Sequence, residues 1–196
     1  MIYFYSGTPG SGKSLHVAKD IYYKLFIKKQ NVIANFDINR KIYNKKKKKG
    51  KFIYVENSQL TPNFFYEYAK KYHVLGKEAQ TLVVLDECQM LFNPRCWNDK
   101  YRIEWVNFFT QHRKYGFNFI LISQFDRLVD RQIRSLFEYE IKHRKVNNFK
   151  LARFFPISTF CAVEYWYGVK ERVGSEFFFY NKKYGSLYDT FKKFEE

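Results

Sequence analysis

The sequence predicts a three-layer α/β fold with a mainly parallel sheet. Three observations carry this: short apolar runs ending at glycine or at carboxylates, amphipathic helical stretches between them, and a glycine-rich segment at the first strand-to-helix junction. The 196 residues suit one domain with one core, and residues 1–196 are read that way. At 46% hydrophobic and 28% charged, the chain is globular in composition, not disordered. No window approaches the roughly 20 consecutive apolar residues that span a bilayer. The longest apolar stretch, residues 154–163, is interrupted by Pro156 and Ser158. Its first six residues lack the basic flank and small-residue cleavage site of a secretory signal. Cys88, Cys96 and Cys161 have no metal-ligand spacing, which points to a reduced, cytosolic setting, with Cys88 as core.

Residues 2–5 form an apolar, aromatic run ending at glycine and read as a buried strand. From Lys13 to about Lys29, Ala18, Ile21, Tyr22, Leu25 and Phe26 recur at helical spacing. Residues 31–36 and 52–55 read as strands on either side of a basic connection, about residues 40–51. That connection holds five consecutive lysines, Lys45, Lys46, Lys47, Lys48 and Lys49. Self-repulsion makes the run a solvated loop. Residues 61–73 predict a helix packing Phe64, Phe65, Tyr68 and Tyr72 on one side. Residues 81–85 are a continuous branched apolar run, as in a central parallel strand covered on both faces.

Asn98 or Asp99 is read as the cap of a helix with Ile103, Val106 and Phe109 on one face and Trp105 and Phe108 beside it, ending near Gly116. Residues 117–123 predict the next buried strand, and residues 129–135 a short helix. Residues 137–146 and 151–167 are strand-like and joined at Asn147-Asn148, which predicts a C-terminal β-hairpin; residues 187–196 read as a short polar helix.

The chemistry is concentrated in two places. Gly7-Thr8-Pro9-Gly10-Ser11-Gly12-Lys13-Ser14 matches G-x-x-x-x-G-K-[ST] at every fixed position, between a predicted strand and a predicted helix. This is a P-loop, and it implies ATP with Mg²⁺. A triphosphate carries dense negative charge, and the backbone N–H groups of Gly10, Ser11, Gly12 and Lys13 can surround it at a helix N-terminus. Lys13 is expected to reach the β- and γ-phosphates and Ser14 to ligate Mg²⁺, with Thr8, Pro9, Ser11 and Leu15 lining the loop.

The second place is the end of the strand at residues 82–85, which delivers Asp86 and Glu87 to the carboxyl edge of the sheet in a Walker B pattern. Asp86 is expected to hold Mg²⁺ through water, and Glu87 to accept a proton from water attacking the γ-phosphate. Gln124 closes the following strand, where it can sense the γ-phosphate or orient water. In this arrangement an additional strand separates the Walker A and Walker B strands. Arg113 ends a helix, and Arg127, Arg131 and Arg134 follow Gln124. Any of the four is a candidate to stabilise charge across a subunit boundary.

The net charge of +16 favours nucleic acid, anionic lipid or an acidic partner. A/T-rich codon usage also raises Lys, Asn, Ile, Phe and Tyr, so charge alone assigns no partner.

The residues taken together resemble the zonular occludens toxin (Zot) family, which includes assembly ATPases of filamentous phages. The resemblance rests on residues 2–14, residues 32–36, Asp86-Glu87-Cys88-Gln89, and above all His112-Arg113-Lys114-Tyr115-Gly116 leading through Leu121-Ile122-Ser123-Gln124 to Val129-Asp130 and Ile133-Arg134. Tyr188-Asp189-Thr190 is similar to the family's domain terminus. The resemblance implies a multimeric ATPase, a ring by analogy, working at the inner face of the host membrane. ATP hydrolysis there is coupled to extrusion of single-stranded DNA and exchange of packaging for coat proteins. Family members commonly continue into a transmembrane helix and an exported tail, and this sequence contains neither. Alternatives with different chemistry are a small-molecule kinase, a nucleotide-gated module binding DNA or lipid, and a DNA-translocating or packaging motor outside phage assembly.

Overall fold

A computed structural model describes residues 1–95, 99–146 and 158–188. Eight strands form one sheet in the order β3-β2-β4-β5-β1-β6-β7-β8. They are β1 (Ile2–Ser6), β2 (Asn31–Ala34), β3 (Phe52–Tyr54), β4 (Thr81–Leu85), β5 (Phe117–Ile122), β6 (Tyr139–Lys145), β7 (Thr159–Trp166) and β8 (Glu171–Phe179). The first six are parallel, and β5 lies between β1 and β4, the strands that carry the two phosphate-site motifs. Tyr5 pairs with Ile122 and Leu85 with Leu121, so the ends of these three strands share one edge of the sheet.

The helices cover both faces. On one side α1 (Lys13–Tyr22) packs Val17, Ala18 and Ile21 against Tyr5, Val84, Ile120 and Ile141. On the other, α3 (Pro62–Tyr72) and α4 (Asp99–Gln111) bury an aromatic core over Phe4, Val83, Phe117 and Phe119. Every residue of β4 is buried, as its unbroken branched run requires. Helix α3 starts where the sequence provides a cap: Thr61 Oγ1 accepts from Phe64 N at 3.2 Å, and Pro62 opens the first turn.

The expected helix through Lys29 is corrected. After Tyr22 the chain widens into a π-turn, Tyr23–Ile27, with Lys28 N donating to Tyr23 O at 3.0 Å. The wider turn buries the neighbours Leu25 and Phe26 together and leaves the Leu25 carbonyl to accept from Gly50 N at 2.8 Å. The basic connection holds a short helix, α2 (Arg40–Asn44), capped by Asn39, and beyond it Lys45, Lys46, Lys47 and Lys48 are exposed. In α4 the buried face is Trp105, Phe108 and Phe109, whereas Ile103 points to solvent. Asn98 lies outside the described residues.

Beyond β5, a single-turn α5 (Arg131–Arg134) leads into β6. Strands β6 and β7 pair antiparallel, as the sequence anticipates, while Asn147 and Asn148 lie outside the described residues. A further antiparallel partner, β8, extends the hairpin into a three-strand unit that the sequence reading missed. The predicted terminal helix, residues 187–196, lies almost wholly outside the described residues. A one-turn α6 (Lys182–Gly185) stands ahead of its expected start, and Leu187 and Tyr188 pack as buried non-helical residues. Among the described residues no helix is long and apolar enough to cross a membrane.

Candidate nucleotide site

The loop from Gly7 to Gly12 joins β1 to α1 at the shared strand edge. Gly7, Gly10 and Gly12 all have positive φ, at 143°, 73° and 96°. Two of them also have no room for a side chain. A Cβ on Gly7 would meet the His143 carbonyl at 2.6 Å, and one on Gly12 would meet the Phe160 ring at 2.6 Å. Lys13 Nζ donates to the carbonyls of Gly7 (2.5 Å) and Thr8 (3.2 Å), so its ammonium is folded back over the loop. Burial pulls the Lys13 pKa down, against the opposing charges of Asp86 and Glu87. Ser11 is buried, and its hydroxyl has no hydrogen-bond partner among the described residues.

Asp86 follows β4 and is held from two directions. Asn35 Nδ2 donates to Asp86 O and Asn35 Oδ1 accepts from Asp86 N, both at 2.8 Å. Glu87 N donates to Asp86 Oδ1 at 2.9 Å, and the Tyr188 hydroxyl donates to Oδ2. Burial raises the Asp86 pKa, with the Tyr188 bond acting the other way. Glu87 sits in the left-handed region at φ 47°, an uncommon backbone for a non-glycine residue, and its carboxylate accepts from the Gln89 amide. Cys88 behind it is core, its thiol pushed up by burial.

These groups meet in one cavity of about 470 Å³. Pro9, Gly10, Ser11, Gly12, Lys13, Ser14, Leu15, Asp86, Glu87 and Gln124 line it. Thr8 is outside the lining and contributes only its carbonyl. The remaining walls, Phe160, Tyr180, Gly185 and Tyr188, come from the C-terminal unit and were missed in the sequence, because no local pattern announces residues that reach a site by antiparallel return. Asn35 was missed as well, inside a segment read only as strand. Gln124 is tied to the loop by its backbone: Gly7 N donates to its carbonyl at 3.4 Å. Ser14 and Asp86 place a hydroxyl and a carboxylate on the same cavity, hard oxygen donors of the kind Mg²⁺ takes when it shares its sphere with phosphate and water.

None of the four arginines lines this chain's own cavity. Arg113 pairs with Glu138, close to the N-terminal amine, at the edge of the sheet opposite the loop. Arg134 reaches Asp126 at 3.7 Å. Arg127 and Arg131 are exposed on the connection from β5 to β6.

Beneath the loop, His16 Nδ1 and His143 Nε2 lie 2.9 Å apart in the core, and His143 Nδ1 faces Ser6 O at 3.1 Å. Burial and the neighbouring His16 hold His143 down at about 3; burial and the N-terminal amine hold His112 down at about 4. Unfolded histidine titrates near 6.5, so below that pH the unfolded chain binds protons that the folded chain refuses. Each ring therefore lowers stability by about 1.4 kcal/mol per pH unit as pH falls from about 6.5. Asp20 and Asp86, raised by burial, act in the opposite sense, so the rings are best followed directly. In an NMR titration the His143 and His112 resonances are expected to hold their neutral positions from about pH 7.5 to 5. A midpoint near 6.5 would show that burial does not exclude the proton.

A glycine loop between the first strand and first helix, a carboxylate at the end of β4 and an intervening strand together define a P-loop NTPase fold. The chain belongs to the zonular occludens toxin (Zot) family, which matches residues 1–188. A stretch of 71 residues is 41% identical to the Gene 1 protein of Enterobacteria phage fd; it covers 36% of this chain and 20% of that protein, so the match spans about a fifth of the relative. Among solved structures, the N-terminal domain of zonular occludens toxin from Neisseria meningitidis is similar, with TM-score 0.59, 20% identity, and 96% and 98% of the two chains covered. B204, the DNA-packaging ATPase from Sulfolobus turreted icosahedral virus, is also similar, with TM-score 0.52, 15% identity, and 90% and 95% covered. Both likenesses bear on the fold.

Proposed function

We propose that this chain hydrolyses Mg²⁺-ATP and that turnover drives filamentous phage assembly, with extrusion of single-stranded DNA at the host inner membrane. The observation that carries the hydrolase reading is the meeting of Lys13, Ser14, Asp86, Glu87 and Gln124 in one cavity at one sheet edge. Family membership supports the assembly role.

In this reading the backbone N–H groups of residues 10–13 cradle the phosphates. Lys13 exchanges its loop carbonyls for β- and γ-phosphate oxygens. Ser14 and Asp86 hold Mg²⁺, which neutralises phosphate charge. Glu87 takes the proton of the attacking water as the bond from the γ-phosphorus to the ADP oxygen breaks, and Gln124 orients that water. Arg127, Arg131 and Arg134, on or near the β5–β6 connection, are the arginines best placed to serve a neighbouring copy in a homo-oligomer; Arg113 faces away from the loop edge. Exposed Lys45, Lys46, Lys47 and Lys48 suit contact with single-stranded DNA or an anionic membrane surface, and coat or assembly proteins are the further partners.

The test is phosphate release across a protein concentration series, with nucleotide binding followed in parallel. Release without any phosphorylated metabolite, rising with concentration, is expected. Lys13→Ala should weaken ATP binding by about 10- to 100-fold, from the roughly 1.5–3 kcal/mol of a charge-assisted bond. ATP binding without turnover at any concentration would sink the hydrolase reading in favour of a nucleotide-gated module.

A further inference from the structure

Tyr188 reaches the cavity from the far end of the chain, and its surroundings leave the ring little freedom. It stacks on Phe36 with centroids 4.0 Å apart and planes 25° from parallel, and it is 6% exposed. The preceding Leu187 is fully buried, and its carbonyl accepts from Asn39 N at 2.8 Å. Phe36 and Asn39 belong to the same connection as Asn35, which grips the Asp86 backbone through two bonds. One connection therefore fixes the main chain of Asp86 and also seats the ring whose hydroxyl fixes its side chain. Within the carboxylate, Glu87 N holds one oxygen and the Tyr188 hydroxyl holds the other.

A carboxylate that binds a cation through a solvated shell loses affinity when it can rotate among orientations. Donors outside the metal's own shell suppress that rotation and leave the remaining lone pairs for the ion. Tyr188→Phe would keep the stacking ring and remove the hydroxyl that donates to Asp86.

We propose that Tyr188 is a positioning residue for the metal-binding carboxylate: its hydroxyl sets the orientation of Asp86 and thereby makes divalent-cation affinity depend on the C-terminal segment, residues 182–188. This rests on the reading that Ser14 and Asp86 hold Mg²⁺.

The experiment compares the full chain with Tyr188→Phe, titrating MgCl₂ against a fluorescent ADP analogue and repeating the binding in EDTA. The Mg²⁺ concentration for half-maximal enhancement should rise by roughly 10- to 100-fold, with EDTA-state affinity unchanged. The same Mg²⁺ dependence in both chains overturns the proposal while leaving the Mg²⁺ reading intact. A loss of nucleotide affinity equal with and without Mg²⁺ also overturns it, because that marks a damaged cavity wall. If unmodified chain and Asp86→Asn alike bind nucleotide without regard to Mg²⁺, the site reading itself falls, and this role with it.

Discussion

Glu87→Gln is expected to lower ATP turnover by about 10²- to 10⁴-fold, the contribution typical of a positioned general base, while nucleotide binding persists. The substitution is nearly isosteric, and the amide oxygen can still accept from Gln89, as the carboxylate does now. The left-handed backbone at this position costs a glutamine about what it costs a glutamate, so geometry is retained. What is removed is the capacity to take a proton. Single-turnover phosphate release on saturated protein separates the effect from binding. A variant within about tenfold of the parent would transfer the base role elsewhere, with Gln124 then confined to orienting water.

Phe65→Ala is expected to cost about 3–5 kcal/mol of folding stability, a large part of the 5–15 kcal/mol usual for a domain. Phe65 is fully buried at the centre of the aromatic layer, 5.2 Å from the Phe108 ring, 5.4 Å from Phe117, 5.6 Å from Phe119 and 5.9 Å from Trp105. These partners come from α4 and β5, and rings so interlocked collapse poorly into a cavity. Urea denaturation should show a much lower midpoint for Phe65→Ala than for Phe64→Ala, whose ring is only partly buried. Equal costs would mean that the layer relaxes around the loss.

Much of the nucleotide cavity was legible because its parts are short, local and fixed in length. The glycine loop must follow a strand and open a helix, and the run ending at Asp86 has the composition of a strand covered on both faces. The intervening position of β5 also followed from the sequence. What escaped depends on long-range return of the chain. β8 carries Glu171, Arg172, Gly174 and Glu176, which give no strand pattern of their own; the exposed Glu176 meets Lys19 and His16 of α1 only through tertiary placement. Phe160, Tyr180 and Tyr188 belong to the cavity through tertiary placement, and Asn35 through a side chain that crosses to another strand's end. The π-turn at Tyr23–Ile27 keeps enough helical spacing to pass as α-helix. Ile103 shows that apolarity alone does not choose a helix face.

The position of β1 has a consequence for synthesis. It precedes every other described strand, yet its neighbours are β5 and β6, with Ile2 beside Phe119 and Tyr3 beside Tyr139. At about 5–20 residues per second, Phe4 and Ile2 wait on the order of ten seconds on the ribosome before either flank exists. Strands β2, β3 and β4 can join well before that, since Val32 pairs with Phe52 and Leu82. The nascent protein thus builds a side sheet first and admits its earliest strand late. The glycine loop, whose backbone leans on Gln124 and His143, takes shape only once residue 143 has been made.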